Sequence, residues 1–198
     1  DLGLERITQV ANQLSIDLSF AKVITVAGTN GKGTTCAFLE NALIASNETV
    51  AVYSSPHIER FNERLRLNSI EVHDDALIKA FEIIEAGRGD ISLTYYEYTT
   101  LAAFLVLMES RPSYIVLEVG LGGRLDATNM IDADIAVITA IDLDHQAFLG
   151  DTRALIGMEK AGIFRENKHA IIGDSNIPTE VVDYGTSLGA KMQIRGKH

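Results

Sequence analysis

Val23-Ile24-Thr25-Val26-Ala27-Gly28-Thr29-Asn30-Gly31-Lys32-Gly33-Thr34-Thr35 begins as a short β-branched run, breaks at glycine, and passes into a stretch with apolar residues at 36, 37, 39, 42, 43 and 45. The first part reads as a strand and the last as a helix over 32–46, because the spacing turns helical. Between them lies a turn of glycines, hydroxyls and one lysine. Such a turn lets backbone N–H groups approach phosphate oxygens, and the helix N-terminus adds a favourable dipole. Lys32 is placed to reach the β and γ phosphates of ATP, and Thr34 or Thr35 to offer a hydroxyl to Mg2+. The candidate ATP-binding residues are Thr29, Asn30, Gly31, Lys32, Gly33 and Thr34. The match to the general phosphate-loop pattern is imperfect. The expected first glycine falls on Val26, and Gly33 separates Lys32 from the threonines. A plain glycine-rich turn with an exposed lysine is the competing explanation.

Outward from this turn, Val50 to Tyr53 reads as a second short apolar strand, and Tyr114 to Val119 and Ile135 to Thr139 are apolar runs without alternation, which suits parallel strands covered on both faces. Ala170 to Ile172 reads as a further strand. Helical spacing marks Leu4 to Leu14, Asp74 to Ala86, Glu97 to Glu109 and Glu180 to Leu188, with Asp74 as an expected N-cap. Leu65, Leu67, Ile70 and Val72 alternate around Asn68-Ser69, a small hairpin, and polar Ser54 to Asn62 reads as a loop. Strands alternating with helices predict an α/β fold, a mainly parallel sheet flanked by helices with a small β hairpin. Ligands in that class sit at the carboxyl ends of the strands.

Composition sets the bounds. A length of 198 residues gives about 1.3 domains, so a single domain over 1–198 is expected. Lys and Arg number 17 against 27 Asp and Glu, a net charge of −10 that argues against sequence-independent nucleic-acid binding. A single cysteine, Cys36, excludes an intramolecular disulfide and fits a reducing, cytoplasmic compartment. The longest apolar run, Leu101 to Met108, falls far short of the roughly 20 residues of a membrane helix, and no signal peptide opens the chain. A first residue other than Met and an end at Lys197-His198 without a closing element suggest a piece of a longer protein.

Further candidates fall at strand ends. Tyr114-Ile115-Val116-Leu117 delivers Glu118, and a carboxylate beside a phosphate loop is one way to hold the nucleotide's Mg2+, although a lone Glu is more often solvated. The next strand leads to Asp142, Asp144 and His145, where a neutral imidazole is a possible metal ligand and an ordinary histidine is the simpler reading.

Gly28-Thr29-Asn30-Gly31-Lys32-Gly33-Thr34 resembles the phosphate loop of the folate-ligase branch of the Mur ligase superfamily, the folylpolyglutamate and dihydrofolate synthases. Peptidoglycan members more often resemble G-T-N-G-K-T-[ST], without glycine at 33. Glu118-Val119-Gly120-Leu121-Gly122-Gly123-Arg124-Leu125-Asp126-Ala127-Thr128-Asn129 is similar to a signature of the same branch, and so is Glu159-Lys160-Ala161-Gly162-Ile163-Phe164. The resemblance implies a P-loop NTPase-like domain of the Mur ligase central type. It implies metal sites from Thr34, Ser55 (in Tyr53-Ser54-Ser55-Pro56-His57), Glu118 and His145, with Lys160 as a carbamoylated ligand. Lys32, Glu118, His145 and Lys160 are then the expected catalytic residues. Carbamoylation needs a neutral amine, so the Lys160 pKa must be depressed.

The resemblance also assigns acceptor contacts. They are Asp1, Leu2 and Gly3 of Asp1-Leu2-Gly3-Leu4-Glu5-Arg6, Thr94, Tyr95, Tyr96 and Glu97 of Thr94-Tyr95-Tyr96-Glu97-Tyr98, and Leu125, Asp126 and Ala127. Tyr95 and Tyr98 are balanced between stacking on a flat heterocycle and packing in the core. The implied reaction is ATP-dependent addition of L-glutamate to dihydropteroate or a folate through an acyl phosphate. The expected partners are these small molecules, with no nucleic acid and no membrane, and the expected state is a monomer. Family enzymes carry a C-terminal ligase domain that this chain is expected to lack. A Mur-type ligase of peptidoglycan precursors and a nucleotide-binding fragment without turnover are the alternatives.

Overall fold

The computed structural model describes residues 3–197. Asp1 and Leu2, two expected acceptor contacts, lie outside the described residues. The elements in chain order are α1 (Glu5–Gln13), β1 (Lys22–Ala27), α2 (Lys32–Ala45), β2 (Val50–Tyr53), β3 (Leu65–Leu67), β4 (Ile70–Glu71), α3 (Asp74–Gly87), α4 (Tyr95–Ser110), β5 (Tyr114–Glu118), β6 (Ile135–Ile138), α5 (Gln146–Leu149), α6 (Arg153–Ala161), β7 (His169–Ile172), α7 (Thr179–Ser187) and β8 (Lys191–Ile194). They build an eight-stranded sheet in the order β4-β3-β2-β5-β1-β6-β7-β8. All pairings from β2 to β8 are parallel, and β3 and β4 add an antiparallel edge. The hairpin turns at Asn68 and Ser69, both with positive φ, which short-loop hairpins demand.

The sheet's two faces are unequally covered. One face of β1, β2 and β5 packs on α1, α3 and α4 through Val23, Tyr53, Leu117, Ile84, Leu101 and Phe104. The other packs on α2 through Ile24, Val26, Val52, Val116 and Cys36. Farther along, Ala136, Ile138, Ala170 and Ile172 meet α6 and α7 through Ile156 and Val181. The expectation of two-sided burial therefore holds for β5 and is met only in part at β6, where Ile135 and Val137 stay half-buried. β6 alternates between half-buried and buried residues, with Ile135 and Val137 packed against the cluster around Cys36, and β7 alternates between exposed and buried residues. A short apolar run cannot show which faces are covered.

Other differences are local. Asp74 is the first helical residue of α3, not its cap. His73 takes the cap position without a side-chain bond, and Asp74 instead accepts a hydrogen bond from Asn62 at 2.7 Å. The loop expected over 54–62 ends in a single 3-10 turn, Phe61–Arg64. α5, α6 and β8 have no counterpart among the expected elements. β8 is Lys191-Met192-Gln193-Ile194, where one buried residue and an exposed face leave little apolar signal.

Candidate active site

The parallel strands deliver four loops to one edge of the sheet. After β1 the chain turns through Gly28 and Gly31 into α2. Gly28 has φ 153°, and a Cβ there would lie 1.8 Å from Thr139 Oγ1, so only glycine fits. Gly31 sits at the helix cap with φ 83°, the left-handed region open to glycine. Lys32 is the first residue of α2, and its Nζ donates to the Gly28 carbonyl at 2.9 Å. The lysine thus folds over its own loop, next to the unpaired N–H groups at the start of a 14-residue helix. Thr139 Oγ1 donates to the Asn30 carbonyl at 2.6 Å, and Thr29 Oγ1 donates to the Asp142 carbonyl at 3.0 Å, so the segment after β6 braces the turn. Asn30, Gly33 and Thr34 are exposed. Gly33 faces Glu118, with room for a Cβ 3.9 Å from Oε1, so sterics alone do not require glycine there.

Glu118 ends β5 and is 6% exposed. Its Oε2 accepts from the Ser55 backbone N–H at 3.3 Å. Burial raises its pKa, opposed by the charge of Lys32, the Ser55 amide and Arg66. Lys160, near the end of α6, is 3% exposed, and its pKa is lowered to about 8, first by burial and then by Lys32, with Asp144 opposing. Glu118 and Lys160 therefore both lie within electrostatic reach of Lys32. His145 caps α5 in a left-handed conformation, more than half exposed, with Nε2 3.6 Å from Asp144 Oδ1. Among the described residues no ion pair joins His145 to Glu118, and no group of three His, Cys, Asp or Glu side chains forms a metal cage. The donors that fit a hard cation are a buried carboxylate and nearby serine and threonine hydroxyls.

Beside this edge is a cavity of about 630 Å3. Gly3, Thr94, Tyr96, Glu97, Leu125, Asp126 and Ala127 line it, together with Ser55, Pro56, Arg64, Gly120, Leu121 and Phe148. Seven of the ten expected acceptor residues thus share one wall system. Tyr95 does not line it. Its ring is 62% exposed and packs edge-on against Phe61, with the Arg64 guanidinium 5.6 Å from its centroid. Tyr98 stacks on Phe81 at 5.3 Å and donates to the Phe81 carbonyl, a packing role. Tyr96 faces the cavity instead, and its buried hydroxyl lies beside Ser55 and Gly120 without a partner in hydrogen-bonding geometry.

Several lining residues also hold the fold. Thr94 accepts from the Glu97 N–H at 3.2 Å and Glu97 accepts from the Thr94 N–H at 2.7 Å, a capping box that starts α4. Asp126 accepts from the N–H groups of Gly120, Leu121 and Thr128 and from the Thr128 hydroxyl, between 2.7 and 3.0 Å. Burial raises its pKa against these four donors. Arg64, which sequence reasoning missed, is 8% exposed and donates from Nε to His57 Nδ1 at 2.7 Å. Its signal was a cation beside the apolar alternation at Leu65 and Leu67.

The parallel sheet thus carries a glycine-turn lysine, an end-of-strand carboxylate and a buried lysine within electrostatic reach of one another. The profile of the Mur ligase middle domain matches residues 26–186, and the chain belongs to that family. It is 52% identical over 196 residues to the dihydrofolate synthase/folylpolyglutamate synthase of Escherichia coli K12, covering 99% of this chain and 46% of that protein. The structure of E. coli FolC in complex with DHPP and ADP superposes with TM-score 0.96 at 52% identity, covering 100% of this chain and 48% of that one. A bifunctional folylpolyglutamate synthase/dihydrofolate synthase with Mn, AMPPNP and L-glutamate bound matches at TM-score 0.94 and 50% identity, covering 100% of this chain and 48% of that one. The chain spans about half the length of the curated relatives it matches.

Proposed function

We propose that this chain is the ATP-handling domain of an enzyme that joins L-glutamate to dihydropteroate and to folates. The observation that carries the proposal is the juxtaposition of the phosphate turn and Glu118 with a separate cavity lined by Tyr96, Leu125 and Ala127. Relatives bound to ADP with DHPP and to AMPPNP with Mn and L-glutamate support it. Residues 1–198 act as one domain, and we assign the remainder of the ligase site to sequence that the twice-longer relatives carry beyond this match. A cytoplasmic location is consistent with the buried, free Cys36.

A carboxylate is a poor electrophile, and phosphorylation gives it a leaving group. The acceptor carboxylate oxygen forms a bond to the γ-phosphorus while the bond to the bridging oxygen breaks, releasing ADP. The glutamate amine then attacks the acyl carbon, phosphate departs, and the nitrogen loses a proton to leave an amide. Lys32 exchanges the Gly28 carbonyl for phosphate oxygens and neutralises charge that builds on them. Thr29, Asn30, Gly31, Gly33 and Thr34 surround the phosphates with N–H and hydroxyl donors. Thr34, Ser55, Glu118, His145 and carbamoylated Lys160 would hold Mg2+. When bound, the metal supplies charge neutralisation at the transferring phosphoryl group. Tyr96 and the 120–127 turn orient the acceptor and exclude water from it.

The test is a ligation assay of the full-length protein with ATP, Mg2+ and L-glutamate, offering dihydropteroate, a reduced folate, or a UDP-linked peptidoglycan precursor. Amide formation with the pterin acceptors alone is expected. Turnover on the UDP-linked compound alone overturns the proposal. The isolated 198-residue chain is expected to bind nucleotide without ligating, because a site split between domains needs closure to align its reactants.

A further inference from the structure

A second cavity, of about 490 Å3, shares Ser55 and Pro56 with the first and lies between α2 and the loop after β2, with Glu118 in its wall. Its wall includes a charge pair. Arg66 Nη2 on β3 lies 2.9 Å from Glu40 Oε2 on α2, with the side chains 24% and 4% exposed. The other Glu40 oxygen accepts from the Ser69 N–H at 3.0 Å, in the hairpin turn. Arg66 Nη1 makes long contacts with Ser54 Oγ at 3.5 Å and the Glu63 carbonyl at 3.4 Å. The Glu63 carboxylate in turn accepts from the N–H groups of Ile58, Glu59 and Arg60 at 2.6 to 2.8 Å, which fixes the middle of the same loop.

This pair is a costly way to secure stability. Taking both charges out of water offsets much of their attraction, and a buried pair is often replaceable by apolar residues without loss. Glu40 moreover sits on the helix that packs on the sheet through Cys36, Leu39 and Leu43, where an apolar side chain would serve packing. What the pair does accomplish is geometric. Glu40 follows Lys32 by eight residues, ~12 Å along one helix axis, so it belongs to the same rigid body as the phosphate turn. Arg66 transfers that reference to Ser54, whose neighbour Ser55 donates its backbone N–H to Glu118.

We propose that Glu40 and Arg66 are positioning residues for the cation: together they register the Ser54-Ser55 segment to the helix carrying the phosphate turn, so that Ser55 and Glu118 meet a nucleotide-bound divalent metal in one geometry. The inference rests on the reading of Ser55 and Glu118 as metal-side residues. Neither Glu40 nor Arg66 needs to touch substrate.

The test uses the full-length protein, with Mn2+ uptake followed by electron paramagnetic resonance in the presence of AMPPNP. AMPPNP binding in EDTA is measured alongside, with hydrogen exchange over residues 54–60. Arg66→Met is expected to weaken Mn2+ about tenfold or more, the scale of lost outer partners at a metal site. Metal-free AMPPNP affinity stays within about twofold, as for changes away from a contact, and exchange of the loop amides accelerates. Arg66→Lys restores part of the Mn2+ affinity, and Glu40→Gln shifts it in the same direction as Arg66→Met. Should Arg66→Met fail to fold, Arg66→Lys and Glu40→Gln decide the matter. Mn2+ affinity at the wild-type level in folded variants overturns the inference, and so does a parallel fall of metal-free AMPPNP binding. A wild-type protein that takes up no Mn2+ with AMPPNP overturns the functional reading, and this inference with it.

Discussion

The Lys32 ammonium, at the start of α2, lowers the pKa of Lys160, a buried amine near the end of α6. Two cations held near each other at low exposure are unfavourable unless one sheds its proton or an anion enters between them. Burial is the larger cause, and the result is an amine with a pKa of about 8, against an ordinary value of 10.5. Its neutral fraction, and with it its reactivity toward CO2, rises as pH climbs through 8.

That sign makes a pH prediction. Because the folded pKa lies below the unfolded one, the charged Lys160 costs stability below about pH 8, and the cost fades as pH rises toward 10.5. Lys160→Met should therefore raise the melting temperature at pH 7 and lose that advantage near pH 10. In the wild-type protein supplied with 13C-bicarbonate, a carbamate NMR signal should grow between pH 7 and 9 and be missing from Lys160→Met. An unchanged signal in the variant would place the modification on another amine.

Lys32→Ala should leave the fold intact, since Lys32 is half-buried and its hydrogen bond among the described residues goes to the Gly28 carbonyl of its own loop. ATP hydrolysis by the full-length protein should fall by roughly 100- to 1,000-fold, the scale of losing one preorganised charge-stabilising donor. Circular dichroism and steady-state phosphate release separate the two effects.

Glu118→Gln should separate stability from function. Burial raises the Glu118 pKa, so the ionised carboxylate costs folding free energy above its unfolded pKa, and the neutral amide removes that cost. A gain of about 0.5–2 kcal/mol in denaturant unfolding at pH 7 is expected, typical of relieving a strained functional site. Mn2+ uptake with AMPPNP should drop sharply in the same variant.

The two neighbouring tyrosines should behave differently. Tyr96→Ala removes a ring from the acceptor cavity and should raise the KM for dihydropteroate by about tenfold, while Tyr95→Ala should leave it nearly unchanged. Equal effects would show that the acceptor reaches the Phe61 side of Arg64.

Asp126→Ala strips four donors of their acceptor. A loss of about 2–4 kcal/mol in unfolding free energy is expected, because buried donors left unpaired carry their full desolvation cost. Thr94→Ala, which removes half of a capping box, should cost about 1 kcal/mol. Urea titrations of both variants check the ratio.

Local chemistry made much of this protein legible in its sequence. The β-branched run into Gly28, the Gly31 cap and Lys32 at a helix start are encoded within a dozen residues, because strand, turn and helix signals are short-range. The hairpin at Asn68-Ser69 is equally local. Strand order is different. Nothing in the run of β1 states that β5 and β6 flank it, and that arrangement decides that Glu118 and the Thr139 brace reach the same turn. The choice between Tyr95 and Tyr96 also lay beyond the sequence. Successive helical residues point about 100° apart, and only the packing of α4 against its neighbours determines which ring faces the cavity. Arg66 and Glu40, 26 residues apart, meet only because the hairpin folds back over α2. Short-range periodicity specifies elements and their caps, whereas the meeting of charges distant in sequence is a property of the closed sheet.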